Sequence, residues 1–234
     1  MSDEGSRRSR LWTVARWPLG IALTSWRYMW RTTPMKRKEM RGSPADDSPP
    51  PIPESVDHED TQAPEDGAGH LYHRRYRMLV SEANLSPEHL MSRISANPNV
   101  VAPTDLARFH KRKGEDNVMR AGDEFVVRMP GPWDGPVRVV DVTPRSFRFV
   151  TLRGHLEAGQ IEFRVDKENG ALRVEIESWA RAGDRLSHVM FDTLRMAKEI
   201  QLHMWTSMLE RIAKLSGGRR SSISIETRWV EVDD

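Results

Sequence analysis

A series of short strand patterns that ends in one long amphipathic helix limits this chain to very few folds. Five segments alternate apolar and polar residues, as expected for strands with one buried face: 124–129, 136–142, 146–152, 159–166 and 171–179. Short connections containing Gly, Pro and Asn separate them. Strands joined by such short connections pair with their neighbours, so we expect an antiparallel meander.

The segment 184–215 has the pattern of a single helix after the last of these strands. Its apolar residues recur every three or four positions and form one stripe, so one side of the helix is predicted to face the sheet. The stripe consists of Leu186, Met190, Leu194, Ala197, Ile200, Met204, Met208, Ile212 and Leu215. Gly217 and Gly218 end the helix. A sheet followed by one long helix predicts the α+β class.

Shorter elements are predicted on either side of this unit. Residues 71–80 alternate well enough for a strand. Ser86 followed by Pro87 marks the start of a helix that reaches Ile94, and a second short helix is predicted over 103–111. The tail 221–232 alternates again and is predicted as an added edge strand. The folded domain is therefore expected to span 70–218, with 219–234 as a tail.

Two segments of opposite charge precede that domain. Residues 44–69 contain acids and clustered prolines but no Lys or Arg, which predicts an extended linker. The alternative is that this acidic segment folds back against the basic leader, residues 1–43. The leader is predicted to be helical and to contact either an anionic membrane surface or the domain itself. The residues expected in that contact are Trp12, Trp17, Trp26, Trp30, Arg27, Arg31, Lys36, Arg37 and Lys38.

Composition excludes several classes of function. The chain has no cysteine, which rules out disulfide scaffolds, thiolate zinc sites and cysteine nucleophiles. A net charge of +2 gives no overall attraction to nucleic acid, and no uninterrupted apolar stretch is long enough to span a membrane. No metal, cofactor or specific nucleic acid is expected. The predicted location is the cytoplasm, with peripheral attachment to the membrane through the leader as an option.

The segment from Gly154 to Phe163 resembles the signature Gly-His-x-Glu-x-Gly-x-x-x-Phe of the DUF1990 family. The segment from Glu175 to Arg181 is similar to that family's strand ending in an aromatic residue, Ser and Arg. The order of elements also resembles the START-like, or SRPBCC, superfamily. That resemblance implies a helix-grip fold, in which a curved antiparallel sheet wraps the C-terminal helix and leaves a cavity for a hydrophobic ligand. It implies no reaction.

His155 and Glu157 are the candidates for acid–base chemistry. In an extended segment, residues two apart point to the same face, so the two side chains could share a proton network at the mouth of a cavity. The alternative is structural: Gly154 and Gly159 shape a bend, and the two side chains form hydrogen bonds that hold it.

The candidate ligand-binding residues are aromatic and methionine side chains expected between sheet and helix: Trp133, Phe149, Phe163, Trp179, Met204 and Trp205. Most such residues form ordinary core, although methionine also adapts to varied apolar ligands. The favoured function is non-enzymatic binding of a small apolar or amphipathic ligand. The alternative is an enzyme, a hydrolase, cyclase or isomerase, that acts on an apolar substrate with His155 and Glu157 as acid and base.

Overall fold

The computed structural model describes residues 35–129, 134–183 and 191–232, with the backbone alone for 191–200. The helices are α1 (Pro44–Asp47), α2 (Pro87–Ala96) and α3 (Phe191–Ser216). The strands are β1 (Met35–Arg41), β2 (Ala68–Ser81), β3 (Arg108–Lys113), β4 (Glu124–Arg128), β5 (Asp134–Val142), β6 (Ser146–Thr151), β7 (Glu157–Glu168), β8 (Ala171–Ala182), β9 (Arg219–Arg220) and β10 (Ile223–Val230). Two 3₁₀ turns, Pro64–Asp66 and Pro98–Val100, complete these elements.

The strands form one sheet in the order β1-β10-β2-β8-β7-β6-β5-β4-β3, and β9 pairs with β2. From β3 to β8 each strand is antiparallel to the next one along the chain, which confirms the predicted meander. The tail strand β10 differs from the prediction of an edge strand, because it lies inside the sheet between β1 and β2. The edge is instead β1, which runs parallel to β10.

The predicted helix over 103–111 is wrong. A short turn is followed there by β3, which pairs with β4 and directs Phe109 into the core. Pairing with a neighbouring strand outweighed the local helical pattern, as tertiary contacts often do. The helix after Ser86 is confirmed as α2, and the Ser86 side chain accepts a hydrogen bond from His89 N at 3.2 Å.

The middle of helix α3 is buried. Residues 202–209 are all buried, so the helix is covered on every side along this stretch rather than along one stripe. The buried set includes the polar residues His203, Thr206 and Ser207. A sheet that curls around a single long helix is the predicted helix-grip fold, and that fold class is confirmed. Below, the inner face is the face of the sheet toward α3, and the outer face is the opposite one.

The inner face carries the main core of the protein. On β2 it presents Tyr76, Met78 and Val80, which alternate with outward-facing residues. Leu202, Met204, Trp205, Met208, Leu209, Ile212 and Ala213 of α3 and Leu90, Met91 and Ile94 of α2 belong to the same cluster. Sheet, long helix and short helix therefore share one continuous apolar interior.

The acidic, proline-rich segment differs from an extended linker. Buried arginines of the outer face hold its backbone carbonyl groups. Arg138 donates to the carbonyl oxygens of Asp57 and Glu59, each at 2.7 Å, and Arg148 donates to Pro50 O at 2.9 Å. Arg181 donates to Gly69 O at 2.7 Å. These charge-assisted hydrogen bonds offset the entropy lost when a segment with few apolar residues becomes ordered.

The last residues of the predicted leader form part of the sheet. Met35 packs against the main core, and Lys36, Arg37 and Lys38 lie exposed in β1. Exposed lysines on an edge strand oppose pairing with other chains. The four tryptophans and two arginines predicted to contact a membrane or partner lie outside the described residues, so that contact and the division at residues 43, 69 and 218 stay predictions. None of the described helices is long and apolar enough to cross a membrane.

Candidate functional site

The interior between sheet and helix contains four of the six predicted ligand-binding residues. Phe149, Phe163, Met204 and Trp205 are all buried in the main core. Phe163 lies 5.6 Å from Trp205 between ring centroids, so it joins β7 to α3, and Phe149 lies 5.7 Å from Phe125. These edge-to-face arrangements are typical of aromatic clusters in protein cores.

Trp179 differs from its predicted position. It lies on the outer face, where it packs with Leu71 and Val230 and stacks on the ring of His73 at 5.1 Å. The alternation of β8 explains this placement, because Leu172, Val174 and Ile176 point into the core and odd-numbered positions point outward. Trp133 lies outside the described residues.

Three residues of the Gly154–Phe163 segment that match the signature have a local structural role. Gly154 has φ +98°, a left-handed conformation that favours glycine at the turn into β7. At Gly159 the backbone of β8 approaches so closely that a Cβ atom would lie 2.0 Å from Trp179 O. Phe163 then points into the core. The segment thus combines a tight turn, a close strand contact and an aromatic anchor.

The predicted acid–base pair is held by its own loop. His155 Nδ1 lies 3.0 Å from both the backbone nitrogen and the carbonyl oxygen of Glu157. With the ring proton on Nε2, Nδ1 accepts from Glu157 N, and with the proton on Nδ1 it donates to Glu157 O. The Glu157 carboxylate accepts from Gln201 Nε2 at 2.5 Å, which ties the start of β7 to α3.

The environment of His155 favours its neutral form. Burial of the ring lowers the pKa of His155, and the charge of Glu157 and the hydrogen bond to its backbone oppose that effect only in part. Gly135 leaves room for the ring, since a Cβ there would lie 3.1 Å from His155 Nε2. This geometry supports the structural alternative of a fixed bend, and acid–base catalysis by the pair stays a prediction.

A cluster of buried charges on the outer face escaped sequence reasoning. His73 bridges two carboxylates: Nδ1 lies 2.7 Å from Asp47 Oδ1 and Nε2 lies 2.7 Å from Glu177 Oε1. Each ring nitrogen therefore has a carboxylate oxygen within hydrogen-bonding distance. The side chains of His73 and Asp47 are 2% and 1% exposed. We call Asp47, His73 and Glu177 the buried charge cluster.

The surroundings of the buried charge cluster stabilise its carboxylates in the charged form. Burial alone would raise the pKa of Glu177, but hydrogen bonds from His73 and Arg75, together with their charges, lower it to about 2. Burial would also raise the pKa of Asp47. The hydrogen bonds from His73 and the Ser43 amide, together with the charges of His73 and Arg228, outweigh burial and lower that pKa. The cluster fixes α1 to the outer face because Asp47 belongs to α1.

This electrostatic arrangement predicts a loss of stability in acid. A carboxylate with a lowered pKa in the folded state stabilises the protein above its unfolded pKa and loses that effect as the pH falls through the folded value. A change from 4.5 to about 2 at Glu177 corresponds to about 3 kcal/mol. We expect the urea concentration at the unfolding midpoint to decrease as the pH is lowered from about 4.5 to 2. The decrease should be smaller in Glu177→Gln. An equal fall in both proteins would contradict the assignment.

The sequence held one indirect signal for this cluster. The alternative prediction for the acidic segment is that it folds back, although against the basic leader, and Glu177 lies within the segment that resembles the DUF1990 strand. Nothing in the local pattern pairs Asp47 with His73, which are 26 positions apart, or His73 with Glu177, which are 104 positions apart. Their contacts arise from α1 docking on β2 and from the register that places His73 opposite Trp179.

Comparison with solved structures finds proteins of similar shape and low identity. The di-domain ARO/CYC StfQ from the steffimycin biosynthetic pathway is 10% identical with a TM-score of 0.47, covering 66% of this chain and 52% of that one. Major latex-like protein 151 from Panax ginseng is 12% identical with a TM-score of 0.45, covering 62% and 97%. A conserved protein from Geobacillus kaustophilus is 12% identical with a TM-score of 0.44, covering 64% and 98%. The chain thus spans about half the length of StfQ.

Comparison with family models identifies the central part of the chain. No curated protein matches the sequence significantly. Residues 102–211 match the family described as domain of unknown function (DUF1990). The matched range includes the Gly154–Phe163 signature, strands β3 to β8 and most of α3. The family predicted from that signature is confirmed: the protein contains a DUF1990 domain.

Proposed function

We propose that this protein binds a small apolar or amphipathic molecule between the inner face of the sheet and α3, without catalysing a reaction on it. The observation that carries the proposal is that aromatic and methionine side chains of one large sheet and a single long helix meet in one apolar interior. Concave, largely apolar interiors with a few polar groups are typical of small-molecule sites.

The residues proposed to contact the ligand are Phe149, Phe163, Met204 and Trp205. They come from two strands and the helix, so together they contribute to both walls of the interior. Aromatic rings supply large apolar surfaces, and the flexible thioether of Met204 adapts to different shapes. Binding is favoured over catalysis because His155 and Glu157 direct their hydrogen bonds to the loop backbone and to Gln201.

Titration with a neutral apolar dye tests this proposal. We expect Nile red to bind the purified protein at one saturable site and dodecanol to displace it. Met204→Trp fills interior space and should weaken dye binding at least about tenfold, even though overpacking also costs about 1–3 kcal/mol of stability. Met40→Trp is the matched control, because Met40 lies on β1 and outside the main core.

The control separates interior binding from adsorption. Equal dye binding by both variants and the unmodified protein, or binding that does not saturate, would contradict an interior site. Circular dichroism and the thermal midpoint establish that each variant is folded. Native mass spectrometry of the unmodified protein, followed by organic extraction, gives a second readout that needs no variant: a retained apolar molecule supports the proposal.

A further inference from the structure

We propose that Arg74 is the anchor for an anionic head group, so that the molecule bound in the interior is an amphiphile with a carboxylate or phosphate at one end. This inference rests on the proposed function and adds the chemical class of the ligand. It is carried by the position of Arg74 on the inner face, by its burial and by the absence of any hydrogen bond or ion pair between it and the residues that the structure describes.

The position of Arg74 follows from the register of β2. Tyr76, Met78 and Val80 point into the main core, and Arg74 precedes Tyr76 by two residues, so it lies on the same face. Its neighbours across the sheet are Thr227 of β10 and Ser178 of β8. Both neighbours carry hydroxyl groups, which can donate hydrogen bonds to an anion.

Arg74 is buried, and none of the described acidic residues pairs with it. It is 8% exposed, and its guanidinium lies 4.8 Å from the ring centroid of Tyr72. Within the part of the chain that the structure describes, no hydrogen bond or ion pair of Arg74 is found. Glu39 pairs with Thr227, which in turn pairs with Arg74, so these residues form one row across the sheet. Glu39 lies on the edge strand β1, two strands from Arg74, and at the usual strand spacing the two backbones are roughly 10 Å apart.

The other buried arginines all have hydrogen-bonding partners, in contrast to what the described residues offer Arg74. Arg138 pairs with Glu124 and two carbonyl groups, Arg148 donates to Gln160 and the proline-rich segment, and Arg181 donates to Gly69 O. Each of these lies on the outer face and fixes the chain that covers it. A buried charge without such partners is costly, and cation–π contact with one ring offsets only part of that cost. Such a cost is expected where function requires the charge.

The row of residues that contains Arg74 is itself amphipathic. Thr227, Arg74 and Ser178 form its polar half, and Ile161 and Phe149 continue it on β7 and β6. Phe149 lies in the aromatic cluster of the proposed ligand site. An alkyl or ring system against the apolar half would therefore bring an anionic end toward the guanidinium, whose planar fork binds carboxylate or phosphate through two parallel hydrogen bonds.

Binding of three ligands with the same alkyl chain tests the inference: dodecanoate, dodecyl phosphate and dodecanol. We expect at least one of the two anions to bind the unmodified protein about 10- to 100-fold more tightly than dodecanol, the range expected for one charge-assisted hydrogen-bonding contact. Arg74→Met should remove that advantage and leave dodecanol affinity within about threefold. Arg112→Met, which removes an exposed cation on β3, is the control for net charge and should change neither affinity.

The outcomes separate the two proposals. Equal affinities for all three ligands in the unmodified protein, or an anion preference that survives in Arg74→Met, would overturn the role of Arg74 while leaving ligand binding intact. Failure of all three ligands to bind would instead overturn the proposed function. A preference for only one anion identifies the head group as carboxylate or phosphate. The thermal midpoint gives an independent readout. Removal of a buried charge with no ion pair among the described residues should preserve or raise it, whereas loss of a structural ion pair would lower it.

Discussion

Replacing His73 with alanine is expected to lower the free energy of unfolding by about 3–5 kcal/mol, because it removes the ring that bridges two buried carboxylates. Asp47 and Glu177 would then face each other's charge without their shared donor, and Trp179 would lose the ring that stacks on it. Chemical unfolding at pH 7, followed by tryptophan fluorescence and circular dichroism, measures the change.

The matched control is His70→Ala on the same strand. His70 is exposed and its ring contacts Trp229 at 5.4 Å, so its loss should cost less than about 1 kcal/mol. Similar costs for the two variants would mean that the buried charge cluster contributes little to stability. A double variant, His73→Ala with Glu177→Gln, should recover part of the loss, because one of the two uncompensated charges is then absent.

Replacing Gly159 with alanine is expected to have an effect of similar or greater size. The added Cβ would lie 2.0 Å from Trp179 O and 2.8 Å from the Cα of Ala180, both backbone atoms of the neighbouring strand. Because backbone cannot move aside as a flexible side chain can, β7 and β8 would have to separate or change register along the middle of the sheet. We expect a loss of more than about 3 kcal/mol or failure to accumulate as folded protein.

Gly122→Ala is the control for the loss of a glycine itself. Gly122 has φ +91°, and a Cβ there would meet no atom within 4 Å, so the cost is limited to the left-handed conformation, about 1–2 kcal/mol. The comparison is made by thermal unfolding and by the yield of soluble protein. If both variants were equally stable, the close approach of β8 at Gly159 would not explain why glycine occupies that position.

Local pattern predicted most of the regular elements well. Strands β4 to β8, the cap at Ser86 and the long helix all lie where alternation, turn residues and helical spacing indicate. The false helix at 103–111 shows the limit of this reasoning. A short segment with weak apolar periodicity takes the conformation that its neighbours offer, and β4 offered an unpaired edge.

The candidate site was predicted only in part, because local patterns do not show which contacts distant strands and helices provide. Phe149, Phe163, Met204 and Trp205 are large apolar residues on regular elements, so their type and spacing indicate burial. Trp179 has the same type but points to the other face, where it stacks on a histidine that no local pattern connects with it. Arg74 lies in a run of six basic or aromatic residues, 72–77, and nothing in the sequence indicates which of its arginines is buried on the inner face.

The sequence by itself determined the class of fold, the family and the apolar side of strands β4 to β7, because these depend on periodicity and on a motif whose residues are close together along the chain. Only the tertiary structure decided which polar residues are buried and what they contact: His73 between Asp47 and Glu177, the arginines beneath the proline-rich segment, and Arg74 on the inner face. The free energy of a charged side chain depends on partners brought together by the register of distant strands, and those partners are not encoded in its immediate neighbours.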